Sequence, residues 1–292
     1  MLKLLVAVAF WLATDAGATD FYTHWGDGRA ELSSYQVVQP RYGELRQGYG
    51  VMIFVTEDIN RKTYIKVESP TPDRDRLYVL KLNQVLKFPT GIYDYSVMTS
   101  VFSQVEGGAH LFDLRKITLT AQEWCGHVFD EALFRGDEVE GFLNSYFEAE
   151  GRRDYELDLP EVFESEDHLL IRIRELKEPF MTAGEVQDMA ILPSLWHFRQ
   201  VHRPHALVAG QIRKGELAMV AVGGDDRAAV PWTLKIGERT RTLWVEKAYP
   251  RRILRWEDSD GGRGALIKTI RVPYWSLNGN GDEGYRRELG IP

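Results

Sequence analysis

SEDHLLIRIRELKEPF, residues 165–180, is the stretch on which the fold turns, because here the spacing of apolar residues changes from that of strands to that of a helix. Leu169, Leu170, Ile173 and Leu176 fall on one helical stripe, with Ser165 placed to cap its start and Pro179 to stop it. Just beyond, Thr182 and Glu185 stand at capping-box spacing and predict a helix through Met189, Ile191 and Leu192, met early by Pro193. A further short helix is expected through Leu195, Trp196 and Phe198.

On both sides of this segment the pattern is extended. Upstream, Val51, Ile53 and Val55 alternate with Met52, Phe54 and Thr56, so both faces of that run are apolar and it is expected to be buried on both sides. TYIKVES (63–69), LYVLKLNQVLKFP (77–89), IYDYSVMTSVFSQV (92–105), HLFDLRKITLTAQEWCGHVF (110–129) and FLNSYFEAEGRRDYELDLP (142–160) are rich in β-branched and aromatic residues. Downstream, HALVAGQIRKG (205–215), LAMVAVGG (217–224), PWTLKIG (231–237), RTRTLWVEKAYP (239–250), RILRWED (252–258) and ALIKTIRVPYW (265–275) return to the same pattern. Tyr42-Gly43, Gly223-Gly224-Asp225-Asp226 and Ser259-Asp260-Gly261-Gly262 supply turns between runs.

No fixed-period repeat and no Pro/Ser-rich linker divides the chain. The expectation is a mainly β protein with a helical insertion at about 165–200: a large curved antiparallel sheet or half-open barrel enclosing one or two helices, with residues 19–292 as a single domain.

The first residues read as a secretory signal. Lys3 precedes an apolar run from Leu4 to Ala13, and Ala16-Gly17-Ala18 offers a cleavage site after Ala18. The run is too short to span a bilayer, so the mature chain is expected to carry no transmembrane anchor. Localisation is therefore expected to be outside the cytoplasm, periplasmic or extracellular. Of 292 residues, 44% are hydrophobic and 12% aromatic, which excludes a disordered chain; a net charge of −7 argues against nucleic acid as partner.

Cys125 is the single cysteine and cannot form an internal disulfide. If 118–129 is one strand, its period of two puts Glu123, Cys125 and His127 on one face. These three form the candidate catalytic set, with the imidazole accepting the thiol proton and Glu123 positioning it. The opposing account is a polar lining or an inert thiol. Cys125 and His127 supply too few ligands for a metal, and His197, His202 and His205 are interrupted by Pro204, so no metal and no cofactor is expected. The aromatics suit either a β-core or a concave pocket; Tyr93, Tyr95 and Trp196 are the candidate ligand-binding residues.

HWGDGRAEL, RYGELRQG, TGIYDYSVMTSVF, QEWCGHVF, YPRRILRWED and RVPYWSLNGNGDE together resemble an uncharacterised family of exported bacterial β-proteins, over most of the mature chain. Some of its members carry the label of Maf-type septum-formation inhibitors, but this chain has no early Ser- and Arg-rich phosphate loop of that kind. In architecture alone the pattern is similar to the half-open barrels of bacterial lipoprotein carriers. The expected function is binding of an apolar or amphipathic ligand, lipid or envelope glycolipid, in a curved-sheet pocket. The alternatives are a thiol-dependent hydrolase or transferase using Cys125 and His127, and an envelope structural or assembly protein with a protein partner.

Overall fold

The computed structural model describes residues 16–107 and 111–292. The expected leader, 1–18, lies almost wholly outside the described residues; residues 16–18 open helix α1 (Ala16–Trp25). The first half of the chain forms β1 (Ala30–Arg41), β2 (Glu44–Asn60), β3 (Arg76–Thr90), β4 (Tyr93–Gln104), β5 (Asp113–Glu123), β6 (Gly126–Arg135), β7 (Glu138–Ser145) and β8 (Arg152–Asp158), a meander in which each strand pairs antiparallel with the next. A two-residue turn joins β1 to β2, with Tyr42 and Gly43 both at positive φ, the geometry that matches the twist of paired strands.

After the short β9 (Phe163–Ser165) come α2 (Glu166–Arg172), β10 (Val186–Leu192) and α3 (Leu195–Val201). The second half supplies β11 (Val208–Lys214), β12 (Ala218–Val222), β13 (Asp225–Ile236), β14 (Arg239–Glu246), β15 (Ile253–Asp258) and β16 (Arg263–Val272), followed by α4 (Gly284–Glu288). β16 pairs with β1, which joins the halves into one sheet in the order β8-β7-β6-β5-β4-β3-β2-β1-β16-β15-β14-β13-β11-β10-β9, with β12 beside β13. Every pairing is antiparallel except β9 with β10, so the sheet is mixed. The end strands β8 and β9 do not pair with one another, so it stays open rather than closing into a barrel.

The sheet curls around α2. Glu166 at the start of that helix bonds Arg239 of β14, while His168, two residues on, bonds Ser103 of β4. Those strands stand six places apart, about 29 Å on a flat sheet at ~4.8 Å per strand, far more than one helix diameter. Only a strongly curved sheet brings both to one helix. Accordingly Glu166 to Ile171 are all buried, on every side of α2. This replaces the single apolar stripe that the sequence predicts: the helix is surrounded, and the acids of its first turn find partners instead of water.

The extended readings hold with two corrections, and one expected helix is replaced by a strand. Residues 182–192 contain no helix. Thr182 N–H donates to the Glu185 carboxylate and Glu185 N–H to the Thr182 carbonyl, but the bonds close a turn, and β10 follows. Tertiary packing decides the outcome: Ile191 lies against Gly210 of β11, where a Cβ would stand 2.4 Å from its Cδ1. TYIKVES is a loop touching the sheet through one bridge, Ile59 to Lys66, with Tyr64 at φ 52° and its hydroxyl donating to the Phe134 carbonyl. The expected single strand 118–129 is a hairpin, described below.

The main core lies on the concave side, between the sheet and α1–α3. A second, smaller cluster lies on the convex side, where Leu32, Val51, Val55 and Ile270 are covered by Leu289 and Ile291 of the chain's last segment. Ser34 hydroxyl donates to the Leu289 carbonyl at 2.5 Å and ties that segment down. The 51–56 run is buried on both sides, as its pattern predicts.

Candidate functional site

A narrow cleft opens between the concave face and the buried helices. Its sheet side carries inward-facing residues of β1–β4, among them Val37, Met52, Gln84, Leu86, Val97 and Thr99, and of β14–β15, namely Arg241, Trp256 and Asp258. Its helix side is Asp167, Ser194 and Trp196. The cavity measures about 60 Å³, room for a few water-sized groups rather than for an acyl chain.

Two neighbouring acids at the start of α2 meet opposite environments. Glu166 Oε2 is 2.6 Å from Arg239 Nη2, and its Oε1 is 3.2 Å from Arg241 Nη1. Burial works against the ionised form of Glu166, but the two guanidiniums and the Ser194 N–H outweigh it and bring the carboxyl down to about 2. Asp167 is 4% exposed, and its Oδ2 accepts the Leu195 N–H at 3.0 Å. Burial dominates there; with Glu166 adding repulsion, the carboxyl is pushed up to about 7 in spite of that bond.

Arg241 is committed elsewhere, holding Asp258 through two bonds of 2.5 and 2.9 Å. Trp196 lines the same cleft, and its indole N–H is buried with no acceptor among the described residues. The cleft therefore combines one carboxyl that titrates near neutrality, one unused N–H donor and walls of mixed character, with Val37, Met52, Leu86 and Val97 beside Gln84, Thr99 and Arg241. Such a set can hydrogen-bond a polar head group in either protonation state of Asp167, or pair with a cation when it is ionised.

The expected catalytic set is arranged otherwise than one strand would place it. β5 ends at Glu123 and β6 begins at Gly126, leaving Trp124 and Cys125 as the two-residue turn. Glu123 pairs with Gly126 and Gln122 with His127, so Glu123 and His127 lie on opposite faces of the hairpin. Glu123 is buried, and its carboxylate accepts the Cys125 N–H at 2.7 Å, which fixes the turn. The thiol is exposed; the hydrogen bond and negative charge of Glu123 push its pKa up, away from the thiolate that attack requires. All three residues border an open groove, but without the common face that motivated the dyad.

The three aromatic candidates do come together. Tyr95 lies 6.0 Å from Tyr93 and 6.2 Å from Trp196, ring centre to ring centre. Tyr95 is itself core, stacked on Phe88 at 4.9 Å, with its hydroxyl bonded to Tyr42 and Arg41. Of the three, Trp196 lines the cleft.

Asp167, Glu166 and Arg241 escaped the sequence reading. Acids after a candidate N-cap are ordinary in an exposed first turn, and the signal that sets these apart is burial. A second buried network also went unread: Ser103 Oγ lies 2.8 Å from His168 Nε2, and His168 Nδ1 lies 2.9 Å from Glu164 Oε2. Its distances are those of a nucleophile–base–acid relay, but Ser103 is fully buried and no cavity described here is lined by it. His202 and His205 are engaged by Glu150 and Asp130, each at 2.7 Å. Among the described residues no group of three or more His, Cys, Asp or Glu side chains is placed to hold a metal ion, and no helix is long and apolar enough to cross a membrane. Comparison with protein-family models, with curated proteins and with solved structures gives no match.

Proposed function

We propose that this protein is an exported binding protein for an amphipathic ligand, whose polar head enters the cleft beside Asp167 while its apolar part lies along Leu86, Trp196 and the half-buried mouth. The observation that carries the reading is the buried Asp167 carboxyl, raised to about 7 on the wall of a concave cleft that is also lined by Trp196 with its unused N–H. Evolution of a core alone gives no reason to leave both polar groups on a cavity wall. The small volume refines the expected lipid pocket: the helices and aromatic side chains fill most of the concave side, so a head group is recognised and a whole acyl chain is not swallowed. The order of Lys3, the apolar run 4–13 and Ala16-Gly17-Ala18 supports export. The thiol-enzyme reading has no comparable support, because Glu123 suppresses the thiolate and His127 lies on the other face.

The test is a titration of the full chain with dodecylamine, monolaurin and laurate below their critical micelle concentrations, followed by intrinsic tryptophan fluorescence and native mass spectrometry. Saturable one-to-one binding is expected, weakest for laurate because its carboxylate meets Glu166, Asp167 and Asp258. Asp167→Ala is expected to weaken amine binding about tenfold, the size of one charge-assisted hydrogen bond, ~1.5 kcal/mol. Absence of binding by all three probes rejects the proposal and favours an envelope protein whose partner is another protein.

A further inference from the structure

The hairpin tip that carries the lone cysteine has a second property, independent of the cleft. Trp124 is 71% exposed and Tyr146 is 77% exposed, the largest exposures of any aromatic side chains described, and both line the same open groove. Both sit on an ordered backbone. Trp124 sits in a two-residue turn pinned by the 2.7 Å bond from Cys125 N–H to Glu123. Tyr146 donates its N–H to the His127 carbonyl at 3.1 Å, and its ring rests on Gly126, where a Cβ would stand 2.6 Å from the ring. Gly126 has an ordinary negative φ, so a larger residue is excluded there by the Tyr146 ring and not by the backbone.

The rest of the groove is polar. Lys87, Ser96, Gln122 and His127 are successive cross-strand partners over β3, β4, β5 and β6, and so form one row on the outer face. Three strand spacings make that row about 14 Å long. Among the described residues no aliphatic side chain lines the groove. An acyl chain would find two aromatic rings there but no aliphatic wall to pack along. Two exposed aromatic rings beside a row of hydrogen-bonding side chains complement a molecule with apolar ring faces and hydroxyl edges. Trp and Tyr rings, with only two side-chain torsions each, supply such contact area with little loss of side-chain entropy.

We propose that the groove at the tip of the β5–β6 hairpin is a saccharide-binding site, with Trp124 and Tyr146 stacking on sugar rings and Ser96, Gln122 and His127 bonding their hydroxyls. Glu123, Cys125 and Gly126 then serve as its scaffold: they fix the turn and seat the tyrosine. The site does not depend on the cleft, and the two are tested by different probes.

The experiment is isothermal titration of the full chain with triacetylchitotriose, maltotriose and mannotriose, together with saturation-transfer NMR to read which ring protons are touched. At least one trisaccharide is expected to bind, with its ring C–H protons receiving saturation. Trp124→Ala and Tyr146→Ala are each expected to weaken it more than tenfold, while Trp275→Ala, at an exposed tryptophan away from the groove, leaves it unchanged. Both groove variants alter surface side chains, and circular dichroism checks that they fold. Failure of all three sugars overturns the proposal, as does binding that is unchanged in both groove variants. Self-association that disappears in Trp124→Ala, with no sugar bound by the parent, also overturns it and marks the two rings as a protein contact.

Discussion

Asp167 and Glu166 are adjacent, equally buried carboxyls that titrate on opposite sides of their ordinary range because one receives two guanidiniums and the other receives a backbone N–H. The consequences for stability have opposite signs. The folded-state pKa of Asp167 is raised to about 7, so its contribution is present in full below its unfolded value of ~3.9 and is lost as pH rises through about 7. The folded-state pKa of Glu166 is lowered to about 2, so its contribution is present above its unfolded value of ~4.3 and is lost as pH falls. Asp167→Asn keeps an acceptor for Leu195 N–H and removes the titration. Relative to the parent, the variant is expected to gain stability on the order of a few kcal/mol between pH 4 and pH 8. Urea unfolding at several pH values checks this, and parallel pH curves would refute the environment ascribed to Asp167. At Cys125 the same reasoning predicts slow alkylation by iodoacetamide despite full exposure, with Glu123→Gln accelerating it at pH 8; equal rates would remove the carboxylate as the cause.

Elements show where local signals were outvoted. The short helix expected through Leu195, Trp196 and Phe198 forms as α3, its start capped by the Ser194 hydroxyl accepting the His197 N–H at 3.0 Å, whereas Ser165, the expected cap of α2, makes no such bond. The Thr182–Glu185 pair forms its bonds and yet leads into β10, because Ile191 and its neighbours gain more from strand pairing and from the seat on Gly210 than from a short helix stopped by Pro193. Cleft-wall geometry depends on a similar seat. The Trp256 ring lies flat over Gly264 of β16, where a Cβ would meet ring carbons at 2.2 Å. Gly264→Ala is expected to cost about 1–3 kcal/mol through overpacking and to change the near-ultraviolet signal of Trp256. A variant as stable as the parent, with an unaltered aromatic spectrum, would mean that the ring is free to move aside.

At the scale of the whole molecule, one sheet has two covered faces, and the covers differ. The concave face is packed against α1–α3, whereas the convex cluster depends on the segment after Val272. Deletion of residues 273–292 uncovers Leu32, Val51, Val55 and Ile270 and is expected to lower the melting temperature and induce binding of anilinonaphthalene sulfonate. A truncated chain with unchanged melting and no dye binding would show that this cover is dispensable.

Alternation of apolar residues was enough to announce a strand-rich chain, a strand buried on both sides, and a change of period near residue 165. Those properties are local: they follow from side-chain direction along a strand or helix, and neighbouring residues express them wherever the chain goes. The cleft and the hairpin groove are not local. Which strands face α2 and why Glu166 and not Asp167 receives the arginines depend on pairings between residues up to some 240 positions apart, such as β1 with β16, while the parting of Glu123 and His127 needed only the position of one turn. Burial and long-range partners set the charge state of a carboxyl and the seat of an aromatic ring, and tertiary structure alone supplies both.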